Sequence, residues 1–421
     1  MTELFDQKKD CCGCELCSQV CPVSIIKMRQ DGEGFFYPML TDSYKCIGCK
    51  RCINICPEKH RIIPHREIIA AYTGYAQKDT DVKFSASGGM CTVISRMVIE
   101  HNGIVYGVKY SESCRNISYG RATSLEELEA FRTSKYAQAR KDAIYKQILC
   151  DLKENKMVLF IGLPCDVAAI YNYTGNRYDN FYTVELVCHG VTSPKVHEQF
   201  VLKDISGNNS SLTEFSVRYK RNGWKPYYVY EKFDNGNVVL RPFAHTSYNT
   251  AFTYLKRPSC NHCRFKVHDK EYGFQADMTV GDNHGVLPSS LSYNKWGSSV
   301  AFIHSKKGHE LIDRIRTSFV VYNETENTNE LIRQNLAVYM AVPEHKFRKK
   351  FSAKFQSEGL EAANKMLCIR IARVKVASIN KIKAPLLYIY VKFGLRKYKS
   401  SCIRILGIFI PKYRKTRTQK P

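Results

Sequence analysis

The chain has 421 residues, of which 44% are hydrophobic and 24% are charged, a composition typical of soluble globular proteins with two or three domains. No run of 18 apolar residues occurs, which argues against a membrane-spanning helix. The net charge of +25 is concentrated at the C-terminus: residues 347–421 carry 20 basic and 2 acidic residues, a net of +18, and the preceding 346 residues carry +7.

The N-terminal region contains two cysteine runs, "CCGCELCSQVCP" (11–22) and "CIGCKRCINICP" (46–57). Cysteines this close cannot form unstrained disulfides with one another. The opening "MTELFDQKKD" lacks the apolar core of a secretion signal, so we expect a cytoplasmic chain. In that reducing compartment, clustered cysteines indicate metal or redox chemistry.

The spacing of both runs is C-x2-C-x2-C-x3-C-P, which is typical of two-cluster bacterial ferredoxins, whereas zinc sites usually combine two separated C-x-x-C pairs. In the ferredoxin arrangement the fourth cysteine of each run binds the other cluster. The first [4Fe-4S] cluster is therefore predicted on Cys11, Cys14, Cys17 and Cys56, and the second on Cys46, Cys49, Cys52 and Cys21. Cys12 fits neither pattern and is predicted to be a bystander.

Beyond residue 68, apolar runs alternate with helical stretches, as in α/β and α+β domains. The sequence predicts buried strands, some running into loops, over residues 103–110, 157–165, 182–190 and 276–285. The alternation of apolar and polar residues around Asn222-Gly223 and Asn235-Gly236 predicts antiparallel hairpins. Four cysteines lie near ends of these strands, where open sheets place ligand sites. Cys165, Cys188, Cys260 and Cys263 could hold a third metal centre, either zinc or iron–sulfur.

Several motifs in this region together resemble the coenzyme F420 hydrogenase/dehydrogenase beta-subunit family: "SASGGM" (85–90), "TSKYAQAR" (133–140), "GLPCDVAAI" (162–170), "CHG" (188–190), "CNHCRFK" (260–266) and "ADMTVGDNHG" (276–285). The likeness runs from about residue 70 to residue 310. It implies a flavin-dependent reductase with a [4Fe-4S] cluster beside FAD, and so favours iron–sulfur for the third centre. The sequence departs from the family pattern at Asn283 or His284, where an aromatic residue is frequent, which puts the identity of the substrate in doubt.

The resemblance also implies a flavin site. The Ser/Gly-rich loop before a predicted helix offers backbone N–H groups for a pyrophosphate, although plain helix capping explains the same residues. FAD-binding candidates are Ser85, Ser87, Gly88, Gly89, Ser134, Lys135 and Tyr136. Catalytic candidates are Lys135, whose charge could stabilise a reduced flavin, Asp282 on a strand-to-loop turn, and His189 as a proton donor.

The predicted function is an FAD- and iron–sulfur-dependent oxidoreductase that passes electrons between the clusters and a small-molecule redox substrate of unknown identity. A deazaflavin or a nicotinamide is a candidate electron partner. The alternative is a non-catalytic electron-relay subunit that serves a redox partner protein. Nucleic-acid binding is the weakest alternative; it predicts affinity that falls steeply with salt.

The predicted fold class is α+β or α/β. Residues 1–64 are predicted to form a two-cluster ferredoxin domain, residues 65–345 a mixed α/β flavin and iron–sulfur domain, and residues 346–421 a basic helical tail. The tail mixes apolar, aromatic and basic residues, which suits a helix on the anionic inner face of a membrane or an acidic partner.

Overall fold

The computed structural model describes residues 4–63, 65–269, 271 and 273–367. Within them the strands are β1 Ile26–Gln30, β2 Phe36–Leu40, β3 Ala70–Ala76, β4 Ile104–Tyr110, β5 Ile117–Ala122, β6 Val158–Gly162, β7 Phe181–Leu186, β8 Leu212–Lys220, β9 Tyr227–Phe233, β10 Val238–Pro242, β11 Met278–Asp282, β12 Ser299–Ile303 and β13 Phe319–Asn323. The helices are α1 Leu16–Val20, α2 Arg51–Asn54, α3 Asp79–Lys83, α4 Met90–Glu100, α5 Leu125–Leu128, α6 Ile144–Lys153, α7 Pro164–Thr174, α8 Pro194–Asn208, α9 Ser247–Tyr254, α10 Lys306–Ile315, α11 Thr328–Gln334 and α12 Leu336–Tyr339. Residues 348–367 are also helical. This mixed α/β architecture confirms the coarse fold class.

The centre of the fold is an eight-stranded sheet in the order β13-β3-β12-β11-β7-β6-β4-β5. Its four neighbouring strands β11, β7, β6 and β4 are parallel, so their carboxyl ends share one edge. That edge is the usual ligand position in open α/β sheets. Cys165, Cys188 and Asp282 lie at or just beyond the ends of β6, β7 and β11, as the sequence predicted for such an edge.

Helices cover both faces of this sheet. Alternate strand residues point to opposite faces, and accordingly Tyr106 and Phe160 pack in a core with α6 and α7, whereas Val105 and Leu159 pack in a second core with α4 and α10. A parallel sheet buried on both sides needs continuous apolar strands, which explains the uninterrupted apolar runs of the sequence.

Two smaller sheets complete the described fold. Strands β8, β9 and β10 form an antiparallel three-stranded sheet, which confirms the predicted hairpins. Strands β1 and β2 pair in the N-terminal region between the two cysteine runs. The strand predicted over residues 157–165 ends earlier, at Gly162. Pro164 occupies the first turn of α7, where its missing N–H costs no hydrogen bond, and this places Cys165 in a helix start instead of a strand.

The N-terminal cysteine region packs into the same compact unit as the sheet, which spans Met1–Ala363. Arg348, in the helical segment after residue 347, forms a bidentate ion pair with Glu33 at 2.7 and 2.9 Å. The boundaries predicted at residues 64 and 345 stay predictions. Most of the predicted basic tail, residues 368–421, lies outside the described residues. No helix in the described part of the chain is long and apolar enough to span a membrane.

Candidate functional site

The two N-terminal cysteine runs fold into loops with the same backbone conformation. Gly13 and Gly48 have φ angles of +72° and +66°, and Glu15 and Lys50 have φ angles of +63° and +56°. Each loop continues directly into a short helix, α1 or α2. Positive φ is favourable for glycine and costly for other residues, so its recurrence at equivalent positions shows that both loops follow one backbone plan around their thiols.

The second predicted set of thiols lines one cavity. Cys21, Cys46, Cys49 and Cys52 lie around it together with apolar side chains of the β1–β2 region. Cys46 and Cys49 are exposed, and Cys52 is half-buried. The fourth thiol thus comes from the other cysteine run, as the ferredoxin pattern predicted.

The first predicted set is more deeply placed. Cys14 is buried, and Cys11, Cys17 and Cys56 are half-buried. Burial and then the neighbouring thiols of Cys11, Cys56 and Cys52 raise the pKa of Cys17 well above its usual value. These interactions indicate that Cys11 and Cys56 lie near Cys17, and that Cys17 of the first set is near Cys52 of the second.

The third predicted set lines a cavity at the carboxyl edge of the parallel strands, with Cys165, Cys188, Cys260 and Cys263 in its wall. Burial raises the pKa of Cys260 to about 11 and that of Cys263 to about 12. The described residues contain no three His, Cys, Asp or Glu side chains set to enclose a single metal ion. A [4Fe-4S] cluster takes its four ligands from four cysteines at once.

Four buried cationic side chains surround this third set: Lys141, Lys256, Arg257 and Lys266. Lys266 donates a hydrogen bond to the carbonyl oxygen of Cys188 at 2.8 Å, and Lys141 pairs with Asp166 at 3.1 Å. Buried cations need compensating negative charge; Asp166 supplies it for Lys141, whereas within the described residues Lys256, Arg257 and Lys266 form no salt bridge. A cluster with four thiolate ligands is anionic, so the charges of this cavity fit such a group.

Arg257 connects the first and third sets, and sequence reasoning missed it. Its side chain is fully buried. It donates hydrogen bonds to the carbonyl oxygen of Cys11 at 2.8 Å and to the Cys11 Sγ at 3.5 Å, and its charge also acts on Cys260. The only hint in the sequence is an arginine three residues before Cys260.

Cys12, predicted to be a bystander, lies between the same two sets. Its thiol lies near the thiols of Cys14 and Cys165, which lower its pKa, and it lines the third cavity. Glu58 lines this cavity too, and burial followed by the proximity of Cys12 raises its pKa to about 8. One unassigned thiol thus lies close to both the first and the third set.

Beyond the third cavity, the end of β11 carries a buried ion pair. Arg218 on β8 contacts the carboxylate of Asp282 at 2.5 Å. Burial disfavours the charged form of Asp282, but Arg218 holds the pKa of this carboxyl below its usual value, assisted by His284 and by the nearby Ser87 hydroxyl. This group brings together three distant parts of the chain, and of its members sequence reasoning named Asp282 and Ser87 but missed Arg218.

His189 lies between the third cavity and this ion pair. It lines the cavity, and its ring interacts electrostatically with Lys256, Lys266, His284 and Asp282. Burial first, and then the two lysines, lower its pKa to about 4. The imidazole is therefore neutral near pH 7 and can act there as a hydrogen-bond donor or acceptor.

Of the flavin candidates in residues 134–136, one lies beside the Asp282–Arg218 ion pair and another hydrogen-bonds within its own loop. The Tyr136 ring stacks on Phe252 at 4.5 Å between ring centroids, and the charges of Arg218 and Asp282 influence the pKa of its hydroxyl, so it lies beside the Asp282 group. Lys135 instead hydrogen-bonds with carbonyl oxygens of its own loop, those of Ala130 and Arg132 at 3.0 and 2.6 Å. Burial lowers the pKa of Lys135 to about 7. Ser134, in the same loop, is half-buried.

In the Ser/Gly-rich loop, helix α4 begins after Gly89, whose φ of +89° requires glycine. Ser85 hydrogen-bonds with Thr92 of α4 at 2.6 Å. A Cβ on Gly88 would lie 2.5 Å from the backbone nitrogen of Ser299, so this glycine is required by packing against β12. Ser87 donates a hydrogen bond to the carbonyl oxygen of Ser298 at 2.7 Å, and it is the candidate of this loop that lies near enough to Asp282 to influence its pKa.

The equivalence of Gly13 and Gly48 supplies a matched test of the two loops. A Cβ on Gly13 would lie 2.4 Å from Gln138 Nε2, whereas a Cβ on Gly48 would have no neighbour within 4 Å. Both alanine variants incur the strain of positive φ, about 1–2 kcal/mol. We expect Gly48→Ala to be destabilised by this strain but to retain its iron. Gly13→Ala should be destabilised as well, and it should also lose the iron of the first set, about four atoms per chain. Iron assay and denaturant unfolding check this, and equal losses in both variants would contradict it.

Two family descriptions match the sequence. Residues 155–328 match the C-terminal region of the coenzyme F420 hydrogenase/dehydrogenase beta subunit, and residues 10–62 match the 4Fe-4S dicluster domain. These matches confirm the resemblance and the N-terminal dicluster domain. No curated protein matches the sequence. Among solved structures, a chain of the F420-reducing [NiFe] hydrogenase complex from Methanosarcina barkeri is 15% identical, with a TM-score of 0.43, and the alignment covers 69% of this chain and 93% of that chain.

Proposed function

We propose that this iron–sulfur redox protein is a flavoprotein oxidoreductase, which transfers electrons between three [4Fe-4S] clusters, FAD and a small-molecule substrate. One observation carries the proposal: the three thiol sets and the Asp282–Arg218 group lie in series, each near the next. Cys52 of the second set lies near Cys17 of the first, and the unassigned Cys12 lies near both Cys14 of the first set and Cys165 of the third. His189 then joins the third set to Asp282.

Such a continuous arrangement suits electron transfer better than separate structural metal sites. The clusters would be held by the predicted cysteines: Cys11, Cys14, Cys17 and Cys56; Cys21, Cys46, Cys49 and Cys52; and Cys165, Cys188, Cys260 and Cys263. Bound FAD would supply the exchange between two-electron chemistry of a substrate and one-electron chemistry of clusters.

The chain's own residues have defined tasks in this proposal. Arg218 holds Asp282 ionised and oriented, so that its carboxylate can accept hydrogen bonds from a flavin or substrate. Ser87 brings the Ser/Gly-rich loop to the same place, and Tyr136 supplies an aromatic wall. The buried lysines around the third set would offset the negative charge that a cluster bound there would gain on reduction.

The experiment that tests this function is a stoichiometry measurement on the chain purified without oxygen. Iron, acid-labile sulfide and extracted flavin are measured per polypeptide. The proposal expects about twelve irons and one FAD. About eight irons without flavin would refute it and leave a ferredoxin fused to a domain with another task. Turnover that requires a second subunit would favour the electron-relay alternative.

A further inference from the structure

The two N-terminal loops share a backbone plan but differ in their surroundings. The first loop is packed against Gln138 and Arg257 at Gly13, whereas the second is open at Gly48. Among the twelve cysteines of the three sets, Cys46 and Cys49 are the exposed ones. The second loop therefore forms the surface end of the series of thiol sets.

The surface around this end is apolar and basic. Tyr44 is 81% exposed and Ile47 is 65% exposed, both within five residues of Cys46 or Cys49. Lys45, Lys50 and Arg51 are exposed beside them. We call these five residues, 44, 45, 47, 50 and 51, the rim.

The rim has little compensating negative charge. Lys45 pairs with Asp42 at 3.2 Å, and in the described part of the chain Lys50 and Arg51 form no salt bridge. Exposed aromatic and apolar side chains with an arginine beside them are typical of protein docking surfaces. The sign of the charge selects an acidic partner and would accelerate its encounter.

We infer that the rim is the docking surface of a small acidic iron–sulfur carrier protein, which exchanges electrons with the cluster held by Cys21, Cys46, Cys49 and Cys52. This inference rests on the proposed function. In each exchange one electron leaves the reduced cluster of the carrier and enters the cluster behind the rim, and no bond is made or broken. Apolar contact at Tyr44 and Ile47 would bring the two clusters close, and the three cations would orient the carrier.

The test compares two variants of the full chain with equal changes in charge. The rim variant is Lys45→Glu, Lys50→Glu, Arg51→Glu. The matched control is Lys146→Glu, Lys153→Glu, Lys156→Glu, three exposed lysines in and just after α6. Iron content and the spectrum of the reduced clusters establish that each variant holds its clusters.

The probe is a chemically reduced, acidic two-cluster ferredoxin, mixed with each protein in an anaerobic stopped-flow instrument. At low salt, we expect the second-order rate constant of the rim variant to be at least tenfold below that of the unmodified chain, and that of the control to change less than twofold. At high salt the rate constants of the three proteins should become similar, because salt screens the charges. Ile47→Ser, which leaves the charge unchanged, should slow the reaction as well.

Equal rates for the rim variant and the control would overturn the docking assignment. An unchanged carrier rate, with loss of self-association in analytical ultracentrifugation, would also overturn it and assign the rim to a second copy of this chain. Reduction by dithionite at high salt separates these results from failure of the proposed function. If dithionite reduces the clusters but no electrons reach flavin, the proposed function fails while the docking surface can still be measured.

Discussion

Replacing Cys260 by serine is expected to lower the iron content of the anaerobically purified chain by about four atoms, from about twelve to about eight. Cys260 lines the third cavity with Cys165, Cys188 and Cys263, and we expect the loss of one of four thiolates to destabilise a cluster held there. Flavin should remain bound, but the two N-terminal clusters should no longer reduce it at an appreciable rate.

The control for this loss is Cys150→Ser. Cys150 is exposed on α6 and belongs to none of the three sets, so iron and flavin should match the unmodified chain. Iron and sulfide assays measure the outcome, and single-turnover reduction of flavin measures the interrupted transfer. A Cys260→Ser protein with undiminished iron would show that this cysteine is not a ligand.

The second large effect is expected at Arg257. Its guanidinium lies 3.5 Å from Cys11 Sγ, and both hydrogen bonds to sulfur and a nearby positive charge favour the reduced form of a cluster. Arg257→Met should lower the potential of the first cluster by an amount on the order of 100 mV, which corresponds to a charge interaction of a few kcal/mol at an effective dielectric constant of about 20. Electrons would then pass less readily through this cluster.

Arg257→Lys is the matched variant, because it keeps the charge but cannot reproduce the donors that reach Cys11, Phe36 and Gln138 together. We expect it to retain most of the potential and to unfold more easily than the unmodified chain. Redox titration followed by the spectrum of the reduced clusters measures both proteins. A potential that is the same in Arg257→Met and the unmodified chain would contradict the assigned role.

Local features of the molecule could be predicted from the sequence because their physical causes are local. The cysteine spacing predicted which thiols lie together, and the structure does place Cys21 with Cys46, Cys49 and Cys52. Asn222-Gly223 and Asn235-Gly236 marked the turns of the antiparallel sheet. The error at β6 was also local: Pro164 begins α7, because proline suits a first helical turn better than a strand end.

Features that depend on distant parts of the chain were not predicted. Arg218 contacts Asp282, which lies 64 residues away in the sequence. Arg257 contacts Cys11, which lies 246 residues away. Cys12 adjoins Cys165 for the same reason, since the pairing is created by packing of the N-terminal region on the sheet. No periodicity or spacing in the sequence encodes such pairs. The flavin-binding residues stay predictions. Among them, Ser87 and Tyr136 lie near Asp282.

The shared backbone of the two loops around Gly13 and Gly48, one enclosed and the other open, has a consequence for survival in air. Molecular oxygen and peroxide attack a cluster where they can reach it, and Cys46 and Cys49 are exposed. The proposed point of electron entry would therefore also be the one where damage begins. Repair after exposure to air would need to rebuild this outermost cluster first, while the enclosed ones persist behind it.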